Sequence, residues 1–212
     1  EHVTWSLSED GTLTISGTGE MEDYDDSTSF PKWDRDLVQN IVIEPGVTSI
    51  GDNAFCGIDN LKSIDIPEGV TRIGEEAFWA CDNLETVTLP DSLEEIGESA
   101  FFGCSMLQSI EIPQGVTQIG AEAFGHCGHL KRAILPEGIT AIKEAMFSNC
   151  GCLEEVYIPK SVQAIEDYGF YGCVALTKFE LPMGLKTIGK EAFASCGSIN
   201  DVDIPATVTE IG

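Results

Sequence analysis

The sequence predicts an α/β repeat solenoid, in which short parallel strands and short helical turns recur once per 23 residues. Three sets of residues predict it. Phe55, Phe78, Phe101, Phe124, Phe147, Phe170 and Phe193 are spaced 23 apart, as are Cys81, Cys104, Cys127, Cys150, Cys173 and Cys196. Ile50, Ile73, Ile96, Ile119, Ile142, Ile165, Ile188 and Ile211 keep the same interval. A fixed period in the twenties describes a chain in which each repeat, or rung, buries its apolar face against its neighbours.

Residues 1 to 37 do not fit the period and read as an N-terminal cap, with the solenoid running from 38 to 212 in about seven and a half repeats. Val3 to Leu7 and Thr12 to Ser16 alternate apolar and polar residues around Asp10-Gly11, a strong hairpin turn signal. Met21 to Ser29 is polar and acidic and reads as a loop. Phe30-Pro31-Lys32-Trp33, with Leu37, supplies large apolar groups where the first rung needs covering.

Each rung then has three parts. In the Phe78 rung, Leu61, Ile64 and Ile66 point inward while Ser63 and Asp65 point out, giving a strand that Pro67 ends because it has no N–H to offer. Val70 to Gly74 alternates again and predicts a second strand. Glu75 to Cys81 has room for one or two helical turns, with Phe78 plugging the core. The cysteine column reads as buried thiols acting as small hydrophobes, because parallel side chains at strand spacing do not converge as a disulfide needs. Cys56 and Cys152 lie off the column and are the more reactive candidates.

The pattern L-x-x-I-x-I-P-x-x-V-x-x-I-G-x-x-A-F-x-x-C resembles the BspA-like, or Treponema pallidum-type, leucine-rich repeat, from about Val38 to Gly212. Gly11 to Gly19 is similar to the segment that often precedes such repeats in bacterial surface proteins. Departures are modest: Lys143 and Glu166 replace the glycine, Met146 and Gly169 the alanine, and Ile58 the first column cysteine. The resemblance implies a right-handed leucine-rich-repeat superhelix in a secreted or cell-surface (extracellular) protein, often one that adheres to host matrix or to other cells. It carries no catalytic residues.

Composition narrows the partners. With 36 acids against 11 bases the formal charge is -25, which argues against nucleic acid and anionic membrane surfaces. No run of about 18 apolar residues is available to span a bilayer. The chain opens on Glu1 without a basic and apolar leader, so any signal peptide is already removed, and it stops in mid-repeat, which reads as a piece of a longer parent or as a last repeat completed by another contact. No phosphate-binding glycine loop or nucleophile elbow is present, and no cofactor or metal is expected. His129 and Cys152 share a column, and Glu22 to Asp26 is acidic, but turn positions and a solvated loop account for both.

The outward strand positions offer a different kind of candidate. Most are small or acidic, yet Arg132, Ile134, Tyr157 and Lys178 cluster within neighbouring rungs, and arginine and tyrosine are enriched in binding hot spots. Cross-strand pairing, Arg132 or Lys178 with Glu155, is the plain alternative. A second strip is Trp79 beside Phe102, with Tyr171 further along, which either presents a sticky edge or covers the next turn. The expected function is a non-enzymatic binding or adhesion module recognising a host or neighbouring-cell surface protein or glycan. The alternative is a structural spacer.

Overall fold

The computed structural model describes residues 2–25 and 31–212. It is a β-solenoid whose repeat is the expected one: rung-to-rung bonds join residues 23 positions apart, as from Thr88 to Asp65 and from the Gly69 amide to Ser92.

The N-terminal hairpin pairs β1 (Val3–Leu7) with β2 (Thr12–Gly17) in antiparallel register, Leu7 opposite Leu13. Gly11 closes it at a φ of 81, donating its amide to Ser8. The second strand is then extended by β3 (Gly19–Glu20), which starts one of the solenoid's ladders beside Val47, while β2 itself lies parallel to β4 (Asn40–Ile43). The hairpin thus hydrogen-bonds to the first rung.

Trp33 is buried at the end of the phenylalanine column, 6.0 Å from Phe55 and edge-on to Trp5 and Tyr24. Leu37 was expected to help cover the core but is 57% exposed. A single 3-10 turn at Arg35–Leu37, capped by the Asp34 carboxylate, swings Leu37 outward and puts Val38 in its place. Met21, read as part of a polar loop, is buried, and Tyr24 is half-buried against the core. Phe30 lies outside the described residues.

Leu61, Ile64 and Ile66 are buried and Ser63 and Asp65 exposed, as the alternation requires. These first strands form two parallel runs, Ser63–Asp65 with Thr86–Thr88, and separately Ser109–Glu111 with Arg132–Ile134 and Glu155–Tyr157. The second strands form another ladder through Val47–Ile50, Arg72–Ile73, Glu95–Ile96 and Gln118–Ile119. A separate run joins Ala141–Ile142 to Ala164–Ile165, Thr187–Ile188 and Glu210–Ile211.

The gap between those two runs falls where Lys143 replaces the repeating glycine. That glycine has no room for a side chain: a Cβ on Gly120 would lie 2.4 Å from the Glu98 backbone nitrogen. At Lys143 no bond corresponding to that from the Gly120 amide to the Ile96 carbonyl forms. Glu166 keeps its bond to Ile142, ion-pairs with Lys143 at 2.8 Å and accepts the Glu144 amide.

The third part of each rung is not helical, which corrects the expectation of short helical turns. No α-helix occurs among the described residues. In the Phe78 rung the amides of Glu76, Phe78 and Ala80 donate to Glu98, Ala100 and Phe102 of the next rung, at 2.7–2.9 Å, while Trp79 and Cys81 close i→i−3 turns. Two residues per rung adopt left-handed backbone to aim alternate amides at the neighbour: Glu76 (φ 52) and Ala80 (φ 52) here, Ser99 (φ 51) and Gly103 (φ 74) in the next rung. The neighbouring carbonyls replace the i−4 partners of a helix.

This geometry makes a substitution test. Ala80→Gly relieves left-handed strain and is expected to stabilise by up to about 1 kcal/mol, and Gly103→Ala to destabilise by about 1 kcal/mol. An added Cβ at Gly103 meets Ala80 Cα at an ordinary 3.5 Å, so packing does not mask the backbone term. Thermal melts that moved both variants in the same direction would contradict this assignment.

The core is a stack of rings. Centroids are 5.4 Å apart from Phe55 to Phe78, 5.2 Å to Phe101, 5.6 Å to Phe124, 5.7 Å to Phe147, 5.5 Å to Phe170 and 5.3 Å to Phe193. Every column cysteine is a free thiol. Each also does more than fill space. Its Sγ–H donates to a phenylalanine carbonyl of the preceding rung, Cys81 to Phe55 at 3.2 Å and Cys150 to Phe124 at 3.1 Å, for example.

Burial pushes the Cys81 thiol up to about 12 and raises Cys104, Cys127, Cys150, Cys173 and Cys196 as well. Only thiolates attack. Native protein treated with a thiol reagent at pH 8 should therefore be labelled at exposed Cys152 within minutes, and the column only on unfolding. Mass mapping that finds Cys104 or Cys150 modified in native protein would contradict this picture.

Candidate binding face

Arg132, Ile134 and Tyr157 stand on one ladder, with Arg132 opposite Glu155 and Ile134 opposite Tyr157. Lys178 follows by a single bridge to Glu155. The structure therefore brings all four together. Seven of the chain's 11 bases lie between Lys131 and Lys190, so the cluster sits in the least acidic half of an acidic molecule.

Pairing uses part of this charge. Arg132 Nε lies 3.8 Å from Glu155, both well exposed, a contact worth little in water. Tyr157 is 47% exposed, and its hydroxyl donates to Glu137 Oε1 at 2.7 Å. That bond to a carboxylate raises the Tyr157 pKa, so the phenol is held as a neutral donor. Lys178 makes no ion pair with Glu155 within 4 Å.

Beyond Lys178 the ladder opens. Val156 still donates its amide to the Lys178 carbonyl at 2.9 Å, but the next bonds do not form. In three other rungs the amide after the strand reaches the following one, Ile66 to Thr88 at 3.0 Å, Ile112 to Ile134 at 3.0 Å and Leu135 to Tyr157 at 3.3 Å, whereas Leu89 makes no such bond. The equivalent Ile158 amide has no such partner. A larger side chain stands in the core column here: Phe179 occupies an inward position that Ile64, Val87, Ile110, Ala133 and Val156 hold in other rungs. Its ring stacks on Phe193 at 5.4 Å and keeps its strand away from Tyr157.

The opening is a groove of about 540 Å³ running past Tyr157 and Lys178, with Val156, Ile158, Phe179 and Leu181 among its apolar lining. Met183, 76% exposed, stands at its edge. Sequence reading located Tyr157 and Lys178 but missed the groove, Glu137 and Met183. The signal for the groove was present as one oversized residue in the Ile64–Val156 column.

The second strip is assembled only in part. Trp79, 39% exposed, stacks parallel on Phe102 at 6.4 Å, and Phe102 touches the His126 ring at 4.9 Å. Phe102 lies over Gly125, where a Cβ would come 2.9 Å from its ring. Tyr171 is separated from Phe102 by the Gly125 and Ser148 rungs and packs instead on Tyr168, 5.9 Å away.

Other candidates are engaged in the frame. His126 Nε2 lies 3.1 Å from the Asn149 amide, and His129 Nδ1 2.9 Å from the Ser105 carbonyl. Asp23 accepts the Asp52 amide and faces Arg72 at 3.5 Å, tying the acidic segment to the solenoid; Asp26 lies outside the described residues. Among the described residues no group of three or more His, Cys, Asp or Glu side chains is placed to hold a metal ion, and no helix is long and apolar enough to cross a membrane.

Residues 32–153 and 140–212 match the BspA type leucine rich repeat region, in 6 copies. This chain belongs to the BspA-type leucine-rich-repeat family. Among solved structures it is similar to a leucine-rich repeat protein from Bacteroides ovatus ATCC 8483, with 29% identity and a TM-score of 0.64 over 100% of this chain. It spans 60% of the length of that protein. The T. pallidum leucine rich repeat protein is 27% identical with a TM-score of 0.70, over 94% of this chain and 88% of its own. A leucine-rich repeat protein from Eubacterium ventriosum ATCC 27560, 20% identical over 99% of this chain and 91% of its own with a TM-score of 0.56, shares the fold. No curated protein matches the chain. The BspA-type frame explains why the glycine, alanine, phenylalanine and cysteine columns recur, and it leaves the outward positions free to vary.

Proposed function

We propose that this BspA-type chain is a non-enzymatic, extracellular binding module. Residues 38–212 form its recognition solenoid, right-handed as the family resemblance implies, and residues 1–37 cap it. Its partner is a protein or glycan on a host or neighbouring cell. The binding face is the ladder around Arg132, Ile134, Tyr157 and Lys178. The observation that carries this reading is the groove beside Tyr157 and Lys178, a concave, partly apolar site lined by a tyrosine and two lysines, Lys160 and Lys178. A frame locked by rung-to-rung bonds loses little ordering entropy when it binds.

The test is a binding screen at physiological salt against immobilised matrix proteins, cell-surface proteins and glycans, with an Arg132→Glu/Tyr157→Ala/Lys178→Glu variant in parallel. The expected result is a partner whose affinity falls at least about tenfold in the variant, a loss of roughly 1.4 kcal/mol, with circular dichroism unchanged. A partner retained by the variant would move the site, with the Trp79 and Phe102 strip next in line. No partner at all would favour a structural spacer.

A further inference from the structure

We propose that the groove beside Tyr157 takes an extended peptide, which pairs with the open edge of the Glu155–Tyr157 strand. This rests on the reading of that face as the binding site and gives it a ligand chemistry.

The argument starts from unused backbone groups. In a parallel ladder each strand spends alternate amides and carbonyls on each neighbour. Tyr157 faces the preceding rung, where its carbonyl accepts the Leu135 amide at 3.3 Å. Val156 and Ile158 face the following rung. The Val156 amide is satisfied by Lys178, but the Val156 carbonyl and the Ile158 amide are left without the bonds that Glu180 would supply. Ile158 is itself buried. A backbone amide that lines a groove without a partner in the chain, together with an adjacent free carbonyl, presents the edge of a sheet.

The groove's chemistry matches that edge. Val156, Ile158, Phe179, Leu181 and Met183 make an apolar wall beside it, and Tyr157 and Lys178 flank its mouth. Strand addition uses this combination: main-chain hydrogen bonds give affinity, and a neighbouring pocket selects alternate side chains. An extended peptide supplies a carbonyl for Ile158 N–H, an amide for Val156 C=O and an apolar side chain for the wall. A glycan supplies hydroxyls but no such side chain.

The test begins with selection of random linear peptides displayed on phage against the intact chain. The best binder is then synthesised both unmodified and N-methylated at successive backbone positions. Hydrogen exchange is followed at single amides, and Ile158→Pro, which deletes the free donor without breaking a bond made within the chain, is compared with Ile158→Val. The expected results are at least about tenfold slower exchange of the Ile158 amide with peptide bound, and a five- to tenfold affinity loss both on N-methylation at the pairing position and in Ile158→Pro. Ile158→Val should bind normally.

Peptides that bind without protecting Ile158, or that tolerate methylation throughout, would overturn strand addition. If Tyr157→Ala and Lys178→Glu still abolish capture of a cell-surface partner or a glycan, the binding face survives that failure. Peptides that bind this chain but are indifferent to Tyr157, Lys178 and Ile158 would overturn both readings.

Discussion

Phe124→Ala is expected to destabilise the protein by about 3–5 kcal/mol, read as a fall in the urea midpoint with little change in slope. Phe124 is fully buried between Phe101 at 5.6 Å and Phe147 at 5.7 Å, with interplanar angles of 3° and 11°. Truncation removes the ring's transfer energy and leaves a cavity that flanking rungs close poorly, because the Phe101, Phe124 and Phe147 amides are each tied to the next rung at Ala123, Met146 and Gly169. A solenoid's stability is close to a sum over neighbouring repeats, so a defect in the middle weakens two interfaces at once. Set against a typical folding stability of about 5–15 kcal/mol, this is a large fraction of the whole. Phe124→Leu, which keeps most of the volume, should cost markedly less. A loss below about 1 kcal/mol for the alanine variant would mean that the rings are not the principal source of cohesion.

Trp33→Ala is expected to cost about 3–5 kcal/mol as well, but at one end of the molecule. Trp33 is the last ring of the stack, and it gathers Trp5, Tyr24 and Phe55 around itself. Without it Phe55 loses its cover and the hairpin loses the Trp5 contact, keeping Leu13 and Ile15 against Ile41 and Ile43. Hydrogen exchange should show protection lost from Val3 to about Phe55 while the rungs around Phe124 and Phe147 stay protected. Uniform loss along the chain would refute independent behaviour of the cap. The indole Nε1 is buried without a hydrogen-bond partner, so Trp33→Phe keeps most of the packing and removes an unpaired donor. That variant should stay within about 1 kcal/mol of the parent.

The sequence by itself determined the repeat, the buried columns and the outward faces. Each of these follows from side-chain type at a fixed interval: phenylalanine, leucine and isoleucine leave water wherever the period returns them to the same side. It also pointed to Trp33 as the residue that closes the stack, and placed Arg132, Ile134, Tyr157 and Lys178 on one face, because the register of a parallel ladder is the period itself. Only the tertiary structure decided what the backbone does between those points. Glu75 to Cys81 has an ordinary helical composition, and the choice against a helix is made by the carbonyls of the next rung, which lie 23 residues away and outcompete local partners. Leu37 and Val38 are both apolar, and the Asp34-capped turn selects which is buried. The cysteine column is legible as buried, whereas its S–H bonds to phenylalanine carbonyls depend on how one rung is seated on another. The openings at Lys143 and Phe179 are likewise tertiary: each lies at a residue that departs from its column, yet Glu166 departs too and keeps its rung bond, so the surrounding contacts decide where a ladder opens.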